Sequence, residues 1–310
     1  MASIMTNASA LTALQSLNAT NKNLEVTQSR ISTGYRVADA SDNAAYWSIA
    51  TTMRSDQMAM STVQDSLGLG ASKVDTAYTG MNKAIETVNE IKVKLVAANG
   101  ASAADKEKYD IEIKALQGQL KSYADAATFS GANWLSTDTA TGHAVAGTFD
   151  DVKIVASFNR NAAGSVSLGT IDVKVQDIKL YDAAAASLGT KDGILDATRL
   201  GSTGARQDAV SAAVAGTDAG TDTYTVSTLS VKGFTDAQIT KQLTVVEAAL
   251  KEMTTAATNL GAAKSRIDLQ KTFTTSLMDS VERGVGQLVD ADMNKESTRL
   301  QALQVQQQLG

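Results

Sequence analysis

Apolar residues return every seven positions near both ends of this chain, and the rhythm lapses in between. Leu67, Val74, Met81, Val88 and Leu95 form one series, and Val63, Gly70, Ala77, Ala84 and Ile91 fill a second seam beside it. Two interleaved series at this period predict a helix with a narrow apolar stripe of the coiled-coil kind. Spanning 44–98, it would run about 80 Å at ~1.5 Å per residue. Asn99-Gly100 is a helix stop. Beyond it Tyr109, Ile113, Leu116, Leu120 and Tyr123, spaced four, three, four and three, predict a second helix folding back antiparallel. Upstream, Leu17, Leu24 and Ile31 fall seven apart, with Ile4, Leu11 and Leu14 on nearby turns. At the other end Val246, Met253, Leu260 and Ile267 form a further series, accompanied by Leu243, Leu250 and Ala257. The rhythm continues more loosely through Leu277, Val281, Val285, Leu288, Leu300 and Leu303.

Between about 136 and 235 Gly, Thr, Ser and Asp dominate, and short alternating runs appear: VKIVASF at 152–158, IDVKVQDI at 171–178 and TYTVSTLSV at 223–231. Alternation between turn signals predicts strands. The expected fold is therefore mainly α with an inserted β-rich domain. Its N- and C-terminal segments would pair as a long antiparallel helical hairpin or coiled-coil rod. The expected divisions are inner terminal helices at 1–40 and 286–310, a helical rod at 41–135 and 236–285, and an outer β-rich domain at 136–235. Leu67, Val74, Met81, Val88, Leu95, Val246, Met253, Leu260 and Ile267 would form the rod core. Narrow stripes cannot bury themselves alone, so the economical packing sets the C-terminal helix on the N-terminal ones, with both termini at one end.

Composition sharpens this picture. The 310 residues include no Cys, so disulfides, thiolate nucleophiles and zinc thiolate sites are excluded. They include no Pro, which breaks helix interiors, so very long helices are permitted. A formal charge of −5 lacks the basic excess of a nucleic-acid binder. No run of roughly 20 apolar residues predicts a membrane span. The opening stretch has no basic residue before Lys22 and an interrupted apolar segment, unlike a cleaved secretion signal.

Catalytic and metal chemistry finds no foothold. His143 is the only histidine, which rules out histidine-ligand clusters and the HExxH pattern. GLGASK at 68–73 lacks full phosphate-loop spacing and sits inside the best heptad run. DADMNKE at 290–296 opens like a calcium loop, but Lys295 and Gln301 stand where Gly and Glu are needed. Asp218 and Asp222 read as turn residues. No enzyme activity and no cofactor are expected.

One stretch interrupts the helical rhythm: RISTGYRVADASDNAAYWSIA at 30–50. Gly34 can end one helix, and Asp42 can cap the next. This stretch resembles the segment joining the first two helices of bacterial flagellins through Arg30, Ile31, Ser32, Thr33, Gly34, Arg36, Val37, Ala40, Asp42, Asn43, Ala44, Ala45, Ile49 and Ala50. Tyr46 and Trp47 are large for the family at large and are similar to its rhizobial, alphaproteobacterial branch. FSGANWL at 129–135, AAKSRIDLQ at 262–270 and VDADMNKESTRLQALQVQQQLG at 289–310 resemble three further family segments. The middle matches nothing, as is usual where flagellins vary. Flagellins normally continue past the Gln-rich helix, whereas this sequence stops at Gly310, which points to a shortened inner helix or a truncated tail.

The resemblance implies the structural subunit of a flagellar filament, an open helical homopolymer with sister flagellins as further members. It implies extracellular localisation, reached by the flagellar type III export route without a cleaved signal. The implied helpers are the export apparatus, a flagellin chaperone, and hook-junction and cap proteins. The arms at about 1–35 and 288–310 are expected to order on assembly. Ile4, Leu11, Leu14, Leu17, Leu24, Ile31, Leu300 and Leu303 would carry the contact. Arg36, Asp42 and Asn43 fall in the part that resembles a plant-receptor epitope. Lys92 and Lys94 fall in the part that resembles the patch read by an animal toll-like receptor. Ser41, Asn43, Lys92, Val93 and Lys94 depart from the active patterns, so weak recognition is expected at both. The alternatives are a hook–filament junction protein with similar ends, or a surface adhesin built on this scaffold. Indefinite polymerisation separates the first, and a cell- or glycan-binding assay on the middle region separates the second.

Overall fold

A computed structural model describes residues 8–138, 150–161, 163–182, 192–207 and 212–309. Among the described residues five α-helices run: α1 (Ala8–Thr33), α2 (Ala44–Ala98), α3 (Ala103–Ala126), α4 (Asp236–Val289) and α5 (Met293–Leu309). Between α3 and α4 lie β1 (Thr128–Phe129), β2 (Ala132–Asn133), β3 (Ser136–Thr137), β4 (Val152–Arg160), β5 (Val166–Val173), β6 (Tyr181–Asp182), β7 (Arg199–Leu200) and β8 (Thr223–Tyr224). The residues fall into two compact units, one made of Met1–Thr62 with Phe273–Gly310 and the other of Val63–Thr272.

In the Val63–Thr272 unit the heptad stripes of α2 and α4 close on each other. Leu67, Val74, Met81, Val88 and Leu95 are completely buried, as are Val246, Met253, Leu260 and Ile267. Gly100, at φ +78°, turns the chain after α2. Ser102 then caps α3, its Oγ accepting from the Asp105 N–H. The four-residue connection folds α3 back antiparallel, burying Ile113, Leu120 and Ala124 and pairing Lys94 with Glu112 at 2.7 Å. Ion pairs Lys264–Asp75 and Lys92–Glu247 rim the α2–α4 contact.

The middle region is less β-rich than its alternation predicts. Among the described residues one long ladder forms, the antiparallel β4–β5 hairpin from Val152↔Val173 to Arg160↔Val166, with a bulge between Val155 and Ser157. The other strands are two residues long. After Val173 the IDVKVQDI run turns into a 3-10 turn at Val175–Asp177, and TYTVSTLSV does the same at Val226–Thr228. The physical reason is that helix side chains take the backbone groups a neighbouring strand would have used. Gln117 Nε2 donates to the carbonyls of Val226 and Leu229 at 3.0 and 3.1 Å. Asp110 accepts from the Ser230 hydroxyl and the Val231 N–H, and Gln242 Nε2 donates to the Ser230 carbonyl. Val226, Leu229 and Val231 still bury their side chains although the β7–β8 pairing ends at Tyr224, so apolar spacing marks burial there without a ladder.

Gly70 has a structural reason for standing in a seam position. A Cβ there would lie 2.6 Å from Ile154 Cγ2, so its absence lets the β4–β5 hairpin seat directly on α2. Gly80 likewise admits Leu135.

Candidate assembly surface

In the Met1–Thr62 and Phe273–Gly310 unit two helix breaks meet. Gly34, at φ +77°, ends α1 with its N–H on the Arg30 carbonyl at 2.9 Å, the left-handed termination glycine permits. Arg36 and Val37 then donate their N–H groups to the Val289 carbonyl, and Ala291 donates to the Gly34 carbonyl at 2.8 Å. Tyr35 and Asp290 form an antiparallel bridge. The Arg36 guanidinium also donates to the Leu288 carbonyl at 2.9 Å. The interruption in the heptad rhythm at 34–37 is therefore one half of a backbone clasp, and the α4–α5 break is the other. Beneath it Val37, Ala50, Val285 and Val289 are buried together.

Local polar side chains set the ends of the flanking helices. Asn43 Oδ1 accepts from the Tyr46 N–H at 3.1 Å, so Asn43 and not Asp42 caps α2. Asp42 instead accepts from the Ala38 and Asp39 N–H groups and fixes the linker turn, because its carboxylate reaches backwards to the nearer donors. Asp292 caps α5 by accepting from Asn294 and Lys295, which gives the DADMNKE segment a helix-starting role. Its Glu296 pairs with Arg30 at 3.3 Å. Further along, Gln307 Nε2 donates to Asn21 Oδ1 at 2.9 Å. Arg30 with Glu296 and Asn21 with Gln307 make α1 and α5 antiparallel.

The arm residues divide by exposure. Ile4 lies outside the described residues, as does His143. Leu11 and Leu14 are each 58% exposed. Leu17, Leu24, Ile31 and Leu300 are half-buried, and Leu303 is buried. Val26, Val305 and Leu309 are exposed as well. Around the linker Arg36, Asp42 and Asn43 are exposed. In the other unit Lys92 and Lys94 are already paired with Glu247 and Glu112.

That other unit also holds a cavity of about 650 Å³ lined by Arg199, Arg206, Lys251, Glu252 and neighbours. Glu252 accepts from Arg199 at 2.8 and 2.7 Å and from Arg206 at 2.9 and 2.6 Å. Burial pushes the Glu252 carboxyl up, but the two guanidiniums outweigh it and hold it below its ordinary value. These charges tie residues 192–207 to α4. Asp222 accepts from the Ala219 N–H, as a turn residue does. Among the described residues no group of three or more His, Cys, Asp or Glu could hold a metal ion, and no helix is long and apolar enough to cross a membrane.

Residues 4–140 match the bacterial flagellin N-terminal helical region, and residues 243–310 match the bacterial flagellin C-terminal helical region. The chain belongs to the bacterial flagellin family. It is 48% identical over 317 residues to Flagellin C of Rhizobium meliloti strain 1021, the match covering 100% of this chain and 94% of that one. Flagellin of Brucella melitensis biotype 1 is also 48% identical, over 310 residues, covering 100% of this chain and 93% of that one. Flagellin A of Rhizobium meliloti is 40% identical over 385 residues, with 100% and 95% covered. A flagellin is a structural subunit, not an enzyme, and polymerises with itself into the extracellular flagellar filament.

The sequence carried no direct signal for the Arg30–Glu296 pair, because it joins positions 266 apart. The two helix caps were more accessible: Asn43 and Asp292 each stand just before a helical run, where their side chains favour capping.

Proposed function

We propose that this flagellin polymerises through the apolar faces of α1 and α5, with Ile4, Leu11, Leu14, Leu17, Leu24, Ile31, Leu300 and Leu303 carrying the contact between copies. The observation that supports this is an imbalance in the terminal unit. Its buried apolar residues among those described are Val37, Ala50, Met60, Val285, Val289 and Leu303, whereas Leu11, Leu14, Trp47, Ile49, Met58, Phe273, Val305 and Leu309 are all exposed. A single copy therefore leaves more large apolar side chains in water than it removes. Such faces mark interaction surfaces, and a head-to-tail contact that does not close yields an open helical polymer. Leu17, Leu24 and Ile31 give one side of their stripe to α5 and keep the other for a neighbour. The α1–α5 contact is narrow, so the arms order fully only when a neighbour covers them. Seeded polymerisation in a precipitating salt, followed by negative-stain electron microscopy, tests this. Uniform filaments from the unaltered chain and none from a Leu14→Asp variant are expected, and normal filaments from that variant would exclude α1 as the contact.

Export through the flagellar type III route, a dedicated chaperone, hook-junction and cap proteins at the filament ends, and sister flagellins within it belong to the same proposal. A chain without cysteine has no disulfides to undo before threading through a narrow channel. Recognition by host flagellin receptors is proposed to be weak. Asn43 is committed to the α2 cap, Asp42 to the linker turn and Arg36 to the Leu288 carbonyl. Lys92 and Lys94 are neutralised by carboxylates of their own chain. A strong oxidative burst or cytokine response to purified protein would refute this part.

A further inference from the structure

We propose that Asn99-Gly100, at the turn between α2 and α3, is a site of spontaneous deamidation, and that Asp236 at the start of α4 sets its pace by holding the Gly100 N–H. The chemistry is independent of polymerisation, and so is its test.

Asparagine is a thermolabile residue because the backbone nitrogen that follows it can displace its side-chain amide. The step is fastest when the following residue is glycine, which puts no Cβ in the way of ring closure. Asn99 is the one asparagine in the sequence that precedes glycine. Both residues are exposed. Gly100 stands at φ +78°, and a Cβ built on it would meet nothing within 4 Å, so no neighbour crowds the approach. Asn89, by contrast, lies inside α2 with its amide on the Ile85 carbonyl at 3.0 Å. In the reaction the Gly100 nitrogen gives up its proton and attacks Asn99 Cγ. An N–Cγ bond forms, the Cγ–Nδ2 bond breaks, and the side-chain nitrogen leaves as ammonia carrying that proton. Water then opens the resulting succinimide. Cleavage at Cγ leaves aspartate, and cleavage at the main-chain carbonyl leaves isoaspartate, whose backbone is one carbon longer.

The fold touches the one proton that this reaction must move. The Gly100 N–H donates to the Asp236 carboxylate. Lys106 Nζ donates to the same carboxylate at 2.8 Å and to the Phe234 carbonyl at 3.1 Å, so the acceptor is itself fixed at the first turn of α4. Lys106, with the Gly100 N–H, holds the Asp236 carboxyl below its ordinary value, which makes it a poor base for that proton. The hydrogen bond therefore guards the Gly100 nitrogen instead of activating it, and ring closure waits for the bond to open. Both products place a new carboxylate beside Asp236, where it repels that group and competes for Lys106. The change runs one way and loosens the turn that sets α3 against α2.

The full chain is aged at neutral pH, and its peptides are followed by mass spectrometry for the gain that accompanies replacement of NH by O. Isoaspartate is read separately by labelling with an isoaspartyl methyltransferase. The gain is expected at Asn99 well before Asn82 or Asn89, with isoaspartate among the products. Asp236→Ala is expected to speed it about three- to fivefold, the effect of losing one exposed charge-assisted hydrogen bond. Asn99→Gln should stay silent at that peptide, because its ring would have to be one atom larger. Circular dichroism checks that both variants keep their helices. Absence of the gain at Asn99 in the aged chain overturns the site. An unchanged or slower rate in Asp236→Ala overturns the guarding role of Asp236, and so does an equal acceleration at Asn82 and Asn89, which would reflect general loosening of α2.

Discussion

Arg30 near the end of α1 and Glu296 in the first turn of α5 form an ion pair at 3.3 Å across 266 positions of sequence. One carboxylate oxygen, Oε1, takes the guanidinium, while Oε2 is buried without a partner among the described residues. A half-satisfied buried carboxylate costs more when its nearer partner is removed than when its charge is removed, Arg299 lying farther from the same oxygen at 4.0 Å. Arg30→Ala is therefore expected to weaken the α1–α5 pairing by about 1–3 kcal/mol, with Glu296→Gln much milder, because the amide oxygen still accepts. Amide hydrogen exchange in α1 checks this: faster exchange in the Gln variant than in the Ala variant would reverse the argument.

Leu17→Asp or Leu24→Asp puts a carboxylate into a half-buried stripe between α1 and α5. Polymerisation should be lost. The Val63–Thr272 unit, whose core includes neither residue, should keep its helical circular dichroism. An equal loss of helix throughout that unit would show that the arms support it.

Gly70→Ala tests a close approach. Alanine gains about 1 kcal/mol of helix propensity over glycine. Against this, its Cβ would meet Ile154 Cγ2 at 2.6 Å and Cδ1 at 2.8 Å, and overpacking of this kind costs about 1–3 kcal/mol. A net loss of stability is expected, and truncating the opposing side chain in Gly70→Ala with Ile154→Ala should make the two effects strongly non-additive. Additive behaviour in denaturant titrations would show that the hairpin does not seat there.

Two carboxyls should oppose each other in the pH dependence of stability. Glu252 is held below its ordinary value by Arg199 and Arg206, which outweigh its burial. Its contribution is present above the ordinary carboxylate range and disappears as pH falls through the lowered value. Asp196 is pushed up by burial, against the hydrogen bonds from Asp182 N–H and Ser227. Its protonated form is the one the fold favours, so its contribution grows as pH falls through the raised value. Asp196→Asn is expected to stabilise the chain at neutral pH and to remove that low-pH gain. Glu252→Gln should destabilise at neutral pH and flatten the acid limb. Thermal melts from pH 3 to 8 separate the two, and parallel curves for both variants would refute the assignment.

The helices were legible because each buried stripe repeats its own signal: one residue such as Met81 says little, but five at a period of seven fix a face. The interrupting segment was legible as a break through Gly34, while its partner at 289–291 was not, since backbone pairing leaves no side-chain trace. The middle region misled for a related reason. Tyr224 with Val226, and Leu229 with Val231, are spaced as on a strand, and only the positions of Gln117, Asp110 and Gln242 on distant helices decide that the backbone of 226–231 is bonded otherwise. For the assembly faces, single apolar residues at Leu11 and Leu14 looked like weak helix signals, and their exposure is what makes them candidates.

Those same glutamine and aspartate side chains create a one-way dependence. The segment around 226–231 borrows its hydrogen bonds from α3 and α4, whereas the helices bury their stripes on one another. Excised as a fragment, residues 136–235 would leave behind the donors and acceptors that shape them. Any attempt to transplant this region, or to display foreign sequence within it, has to carry Asp110, Gln117 and Gln242 along as part of the graft.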